Sequence, residues 1–388
     1  MNNTLELTIL MPCLNEAETI GICIKKAKSF LKKNKINGEI LISDNGSTDN
    51  SIIIAEKLGA RITKTSINGY GSALINGIKE AKGKYIIMGD ADDSYDFTQL
   101  MCFVEKLRSG FELVIGNRFK GGIKKGAMPF LHRYFGNPVL SGIGRLFFKT
   151  KNFDFHCGLR GFSKQAILSI NLNTLGMEFA SEMIVKSILY KLKITEVPVT
   201  LFPDGRTRAP HLRSWSDGWR HLKFLLMFSP NWLFLYPGLL LTILGLTGTT
   251  ILSFTSIKIN NISFDVHTML FSVLMVIIGV QTVSFSVITN TYARRVRLYP
   301  VKDNLLEKLA SLSLEKGLIV GSTLFIFGLT MSIVGLVIWA EKSFGDLMPS
   351  SMLRLLLPAV LTLSIGCQII FTSFLIGIFQ IKTGNNSL

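Results

Sequence analysis

Four stretches of this chain contain no Asp, Glu, Lys or Arg: residues 233–257, 268–293, 317–340 and 355–381. Each exceeds the roughly 18 apolar residues that mark a membrane-crossing helix. In hydrocarbon the backbone must satisfy its own polar groups, so runs of this length and composition fold as helices. Four transmembrane helices are expected in the C-terminal part, with residues 1–232 outside the bilayer.

Charge in the loops sets the expected orientation. The link 294–316 holds Arg294, Arg295, Arg297, Lys302, Lys308 and Lys316, whereas the loops 258–267 and 341–354 hold only Lys258, Lys342 and Arg354. The positive-inside rule places that link, both termini and the large N-terminal part in the cytoplasm of a multi-pass membrane protein. Residues 7–11 are too short for the h-region of a signal peptide. A net charge of +16 on a chain that is 48% hydrophobic excludes disorder and a secreted disulfide scaffold. It requires an anionic partner: lipid, phosphorylated substrate or nucleic acid. Cys13, Cys23, Cys102, Cys157 and Cys367 include no CxxC pair and are expected to be reduced structural thiols.

Within 1–232, apolar runs at 5–11, 39–43, 60–65 and 85–89 alternate with amphipathic stretches at 17–34, 48–58, 71–82 and 97–108. Repeated βα units predict an α/β fold, a Rossmann-like, mostly parallel sheet with helices on its faces. Ligands of such sheets bind at the carboxyl ends of the strands. The loops there read Pro12-Cys13-Leu14-Asn15-Glu16, Asp44-Asn45-Gly46-Ser47-Thr48-Asp49 and Asp90-Ala91-Asp92-Asp93. Two carboxylates two residues apart at a strand end are costly without a cation, and Asp90 with Asp92 suits Mg²⁺ or Mn²⁺ bridging a diphosphate. Asn15 and Thr48 also suit helix N-caps, and Asp93 and Asp96 a first helical turn. Neither GxxxxGK[ST] nor GxGxxG follows the first strand, which disfavours P-loop and dinucleotide-binding enzymes. The Asn68-Gly69-Tyr70-Gly71 stretch would allow close approach of a nucleotide.

The succession PCLNE, SDNGSTD, NGYGSALINGI, GDADDSYD resembles the GT-A domain of glycosyltransferase family 2. Its continuation, GNRFKGG at 116–122, FHCGLRGFSK at 155–164, GMEFASEM at 176–183 and EVPVTLFPDGRTR at 196–208, is similar to the polyprenyl-phosphate glycosyltransferases of the dolichyl-phosphate mannose or glucose synthase type. The resemblance spans about residues 5–225. It implies a GT-A domain over 1–205 with a membrane-interface segment near 120–150, and an acceptor loop with an amphipathic helix over 206–232. A four-helix membrane domain would follow over 233–388. It implies that Pro12, Leu14, Asn15 and Glu16 line the nucleobase pocket, that Asp44 contacts base or ribose beside Asn45, and that Gly69 lies near the nucleotide. Asp90, Ala91 and Asp92 would form the DxD motif that holds metal and diphosphate. The second loop departs from the family by having Asn45 where a second Asp is common, and Ser94 stands where relatives place a Gln as a further metal ligand. Arg118 and Arg133 match acceptor-phosphate positions, with Asn137 near a Ser of relatives. Arg160, Arg206, Arg208, His211 and Arg213 are further phosphate-binding candidates, and Asp90, Asp92, Arg118 and Arg206 would carry catalysis.

Between 118 and 164 stand ten Lys/Arg and one acid, Asp154, among Phe130, Leu131, Tyr134, Phe135 and Leu146. Trp215, Trp219, Leu222 and Leu226 recur at helical spacing beside Arg220 and Lys223. Next to four spans, these segments are expected to face a lipid surface, and no nucleic-acid partner is expected. The function so implied is transfer of a hexose from a UDP-glucose or GDP-mannose type donor to an undecaprenyl or dolichyl phosphate. That phosphate is already ionised near neutrality and needs no base. A lipid or saccharide hydroxyl acceptor would instead need one, from Glu178 or Glu182. A third reading, a transporter of lipid-linked sugar, is opposed by the absence of charge in the spans. Gly335 and similar small residues suggest close helix packing and a homo-oligomer.

Overall fold

The computed structural model describes residues 5–150, 154–207, 214–296, 298 and 314–381. They fall into two compact units, Met1–Phe228 and Ser229–Leu388.

In chain order the first unit comprises β1 (Leu7–Cys13), α1 (Ile20–Lys33), β2 (Gly38–Asp44), α2 (Ser51–Lys57), β3 (Arg61–Lys64), α3 (Tyr70–Glu80), β4 (Tyr85–Met88) and α4 (Met101–Arg108). It continues with β5 (Leu113–Asn117), α5 (Arg118–Gly121), a π-turn (His132–Gly136), α6 (Asn137–Phe148), β6 (Arg160–Ser163), α7 (Lys164–Ser169), α8 (Phe179–Leu189), β7 (Ile194–Pro198) and α9 (Ser214–Met227). The strands form one sheet in the order β3-β2-β1-β4-β6-β5-β7. The expected βα alternation is present and the sheet is mostly parallel. β1, the LTILMPC strand, is covered on both faces: Ile9 and Met11 join the core under α1 and α4, and Leu10 joins the opposite core with Leu74, Phe179 and Phe224. An almost wholly apolar strand fits this doubly covered position.

β6 alone runs against its neighbours, pairing Met88 with Arg160 and Tyr85 with Ser163. Its start therefore lies at the end of β4, which brings residues 157–159 beside the Asp90 loop. Gly158 leaves room there for the carboxylate, since a Cβ would stand 2.3 Å from Asp90 Oδ2 and displace that side chain.

In the second unit a π-turn (Asn231–Leu235) leads into α10 (Tyr236–Phe254). A hairpin of β8 (Ile257–Ile259) and β9 (Ile262–Phe264) then precedes α11 (Val266–Arg295), α12 (Leu314–Glu341) and α13 (Pro349–Gln380). The four helical segments of 24, 30, 28 and 32 residues are each long and apolar enough to span a membrane. α10 packs on α11, α12 on α13, and α11 on α13. Gly335 faces Leu356 of the same bundle, where a Cβ would approach to 2.8 Å, so the small residue serves packing within the chain. Asp265 and Arg354 pair at 2.7 Å across the starts of α11 and α13.

Candidate active site

The loops after β1 and β2 are laced together before any ligand is considered. Asn15, in the left-handed region at φ 58°, accepts from the backbone of Thr48 at 2.7 Å and of Asp49 at 3.3 Å. Its own N–H donates to Ser47 Oγ at 3.0 Å, and that of Glu16 to Ser51 Oγ at 2.7 Å. Asp49 accepts from Ala17 and Ser51. Asn45 Oδ1 accepts from the Gly69 N–H at 2.8 Å. Gly69 has φ 152°, and a Cβ there would lie 2.2 Å from the Leu175 carbonyl. Three residues expected at the nucleotide, Asn15, Asn45 and Gly69, are thus engaged in building the wall, and Gly69 answers to the 174–176 loop packed against it. Pro12 and Leu14 are half-buried along the same edge, with Asp44 and Glu16 buried beneath. Asp44 accepts from the Ser47 N–H at 3.0 Å.

The third loop supplies the carboxylates. Tyr70, the first residue of α3, donates from its hydroxyl to Asp90 Oδ1 at 3.0 Å. Thr19 Oγ1 holds the Ala91 carbonyl at 2.7 Å. Asp92 Oδ1 accepts from Ser94 Oγ at 2.6 Å and Ser94 N at 3.1 Å, so Ser94 orients Asp92. Burial, and then the neighbouring charge of Asp92, push the Asp90 carboxyl up to about 7, against the hydrogen bond from Tyr70 and the cations of Arg206 and Arg118. Asp93 lies outside this pair, bound to Lys26 at 2.7 Å. Asp96 accepts from Thr98 and Gln99 at the following turn.

Arg206 closes the site. Phe202 N donates to Ser94 O at 3.0 Å and Gly205 N to Asp92 O at 2.9 Å, which fixes the chain after β7 along the 92–94 loop. The guanidinium then reaches Glu16 at 3.1 Å, Asp92 at 2.9 Å and Asp204 at 2.7 Å. One arginine fork thus faces three carboxylates at the mouth of the strand-end loops.

The other arginines divide. Arg160 is fully buried, and its donors go to the carbonyls of Cys157 (2.9 Å), Ala180 (2.6 Å) and Phe155 (2.9 Å). It is a structural strut, which corrects the expectation that it binds acceptor phosphate. Arg118, 7% exposed, grips Asp154 through Nε at 2.7 Å and NH2 at 2.8 Å. Arg133 is half-buried and lies over the Tyr134 ring at 5.4 Å, and Asn137 Nδ2 contacts Met128 Sδ at 3.4 Å. Arg208, His211 and Arg213 lie outside the described residues. Glu182, considered as a base, is buried and accepts from Asn173, Thr174 and Lys186, so it is structural. Sequence reasoning passed over Tyr70, Thr19 and Asp204, because a hydroxyl or acid in a loop carries no pattern until the sheet brings loops together. Burial, then the mutual charge of the pair and the charge of Arg118, holds His156 well below its usual value. Burial brings His221 down to about 4. Their rings meet edge-on at 4.6 Å.

No cluster of three or more His, Cys, Asp or Glu forms a ready-made metal cage among the described residues. Two carboxylates, one of them resisting ionisation, fit an oxygen-seeking divalent ion that takes its other ligands from phosphate and water.

The apolar, basic segment is exposed as its sequence suggests: Phe130 is 79% and Phe135 61% accessible. α9 buries Asp217, His221, Phe224 and Leu225 on the first unit's core and leaves Trp215 (82%) and Trp219 (59%) outward.

Residues 8–170 match the model of "Glycosyl transferase family 2", and 287–380 that of "Glycosyltransferase family 2 C-terminal transmembrane region". The low-salt glycan biosynthesis hexosyltransferase Agl6 of Haloferax volcanii is 34% identical over 374 residues, covering 96% of this chain and 88% of that protein. The dolichol-phosphate mannosyltransferase of Pyrococcus furiosus is 26% identical over 204 residues, 50% of this chain and 56% of its own. A dolichyl-phosphate hexose transferase of Haloferax volcanii is 26% identical over 194 residues, 50% of this chain and 82% of its own. Among solved structures, glucosyl-3-phosphoglycerate synthase of Mycobacterium tuberculosis with Mn²⁺, uridine diphosphate and glucosyl-3-phosphoglycerate aligns over 58% of this chain and 80% of that one. Its TM-score is 0.47 and its identity 19%.

Proposed function

We propose, since this chain belongs to glycosyltransferase family 2 and is a membrane-integral glycosyltransferase, that it moves a hexose from a nucleotide sugar to a polyprenyl phosphate at the cytoplasmic face. The observation that carries this reading is the meeting of Asp90, Asp92 and Arg206 at the ends of β1 and β4. Relatives named for dolichyl-phosphate sugar transfer support the acceptor.

Pro12, Leu14 and Asp44 seat the base and ribose, and Asp90 and Asp92, with Ser94 orienting Asp92, hold Mg²⁺ or Mn²⁺. When bound, such an ion neutralises charge on the leaving diphosphate. Arg206, fixed along the 92–94 loop, offers two parallel donors to phosphate oxygens. Arg118, held by Asp154, keeps a second positive charge near Asp90, and the acceptor phosphate is assigned to Arg133 and Asn137 together with Arg208, His211 and Arg213. An ionised phosphate oxygen of the lipid attacks the anomeric carbon. The bond to the diphosphate breaks with its electron pair leaving on the nucleotide, and configuration inverts. No proton moves, so the site's work is positioning and charge stabilisation. Residues 206–232 carry the acceptor loop and the interfacial helix.

Purified protein incubated with Mn²⁺, a polyprenyl phosphate and UDP-, GDP- and dTDP-sugars should release nucleoside diphosphate with one of them. Release with none, or release dependent on a lipid hydroxyl instead of the phosphate, would overturn the proposal.

A further inference from the structure

The GMEFASEM stretch holds two glutamates one helical turn apart, and the fold treats them oppositely. Glu182 is saturated: it accepts from Asn173 N at 3.0 Å, Thr174 N at 2.8 Å and Thr174 Oγ1 at 2.6 Å, and it pairs with Lys186 at 2.8 Å. Glu178, the residue before α8, is half-buried, and its Oε2 is cut off from solvent with no hydrogen-bond partner among the described residues. No described lysine or arginine pairs with it. A buried carboxylate oxygen left unpaired costs stability. Capping α8 does not account for it. The side chain makes no bond to the helix start, whose first N–H groups go to the carbonyls of Gly176, Met177 and Glu178.

Two sets of contacts place Glu178 beside the Asp90 loop. In the first, Glu182 holds Thr174, and the 174–176 loop packs on Gly69 and Gly71; Tyr70, between these glycines, carries its hydroxyl to Asp90. In the second, Arg160 of β6 donates to Ala180 O at 2.6 Å, in the first turn of α8. The carboxylate itself lies over Gly176, where a Cβ would stand 2.5 Å from Oε2 and 3.1 Å from Oε1. Its loop is thus one tyrosine side chain away from Asp90. β6 lies on the opposite side of β4 from β1 and β2, whose loops are assigned the base and ribose. In a nucleotide sugar the hexose is joined to the diphosphate through its anomeric carbon, so the hexose is the part that extends past the metal site. An ionised carboxylate only accepts hydrogen bonds and repels phosphate. Sugar hydroxyls are the donors that match it.

We propose that Glu178 selects the transferred hexose, its free oxygen accepting a hydrogen bond from a ring hydroxyl of the donor sugar. The inference rests on the nucleotide-sugar reading and adds to it a specificity-determining residue.

The test separates sugar from nucleotide. UDP-glucose, GDP-mannose and dTDP-glucose are titrated calorimetrically into the full-length protein with Mn²⁺ and no acceptor. For the donor bound most tightly, Glu178→Gln and Glu178→Ala should each weaken Kd about ten-fold or more, the size of a hydrogen bond to a charged acceptor. The Kd of the matching nucleoside diphosphate should be unchanged. Among monodeoxy analogues of that donor, the one lacking the selected hydroxyl should bind the unaltered protein more weakly and lose little further in the variants, because both changes remove one interaction. Without nucleotide sugar, Glu178→Gln should melt no lower than the unaltered protein, since it replaces an unpaired buried charge by a neutral isostere. An unchanged donor Kd in both variants, an equal weakening of the nucleoside diphosphate, deoxy losses of the same size in the unaltered protein and the variants, or a lower melting temperature of Glu178→Gln would each overturn the inference and leave the transferase reading intact. Binding of none of the three donors by the unaltered protein would remove that reading, and this inference with it.

Discussion

Asp90 concentrates the site's chemistry in one group. Its carboxyl titrates at about 7 because burial and the neighbouring Asp92 oppose its charge. The folded chain therefore keeps a proton that the unfolded chain releases near pH 4. Without a cation this group makes stability fall as pH rises from about 4 to about 7. A divalent ion, which requires both carboxylates ionised, should raise the melting temperature more at pH 8 than at pH 6. An equal rise at both would contradict the assignment. Asp92→Ala should abolish nucleoside diphosphate release by at least a hundred-fold, and a rate within three-fold of normal would remove the metal role. Asp154→Asn tests a different kind of residue. It leaves Arg118 buried beside a neutral amide, and removing one partner of a buried pair costs about 3–5 kcal/mol, so the first unit should melt at lower temperature or denaturant. The arginines show how far sequence reaches at this scale. Arg206 and Arg160 both stand in Gly-flanked motifs, and residue type alone assigned both to phosphate. Only packing separates them, because three backbone carbonyls converge on Arg160 whereas three carboxylates converge on Arg206.

Elements were more legible than side chains. β1 to β4 and their helices follow the apolar alternation closely, and the acidic loops fall at strand ends as that pattern requires. β6 did not announce itself, since RGFS has four residues and no apolar run, and its reversed direction is a property of the sheet. For α9 the Trp215–Leu226 spacing marked the outward face, and the inward one is built from Asp217, His221, Phe224 and Leu225. Exposed indoles on a helix just ahead of a membrane span belong in the headgroup layer. With Trp232 and Trp339 replaced by Phe, emission from Trp215 and Trp219 should be quenched by lipids brominated near the headgroup. Quenching by aqueous acrylamide alone would place the helix in water.

At the scale of the molecule, the four uncharged runs fixed the membrane unit from sequence, and loop charge gave an orientation open to direct test. Single cysteines introduced at Lys258 in the β8–β9 hairpin and at Lys316 at the start of α12 should react with impermeant maleimide from opposite sides of a sealed vesicle. Reaction from one side would refute the four-span topology. The contact between Arg206 and Glu16 has a consequence in time. The two residues are 190 positions apart, and contacts so distant in sequence form late in folding. During synthesis, which folds N-terminal regions first, the sheet can gather while its pocket still lacks the arginine. The pocket is finished as the segment leading into the first span leaves the ribosome, so catalytic competence and delivery to the membrane mature together.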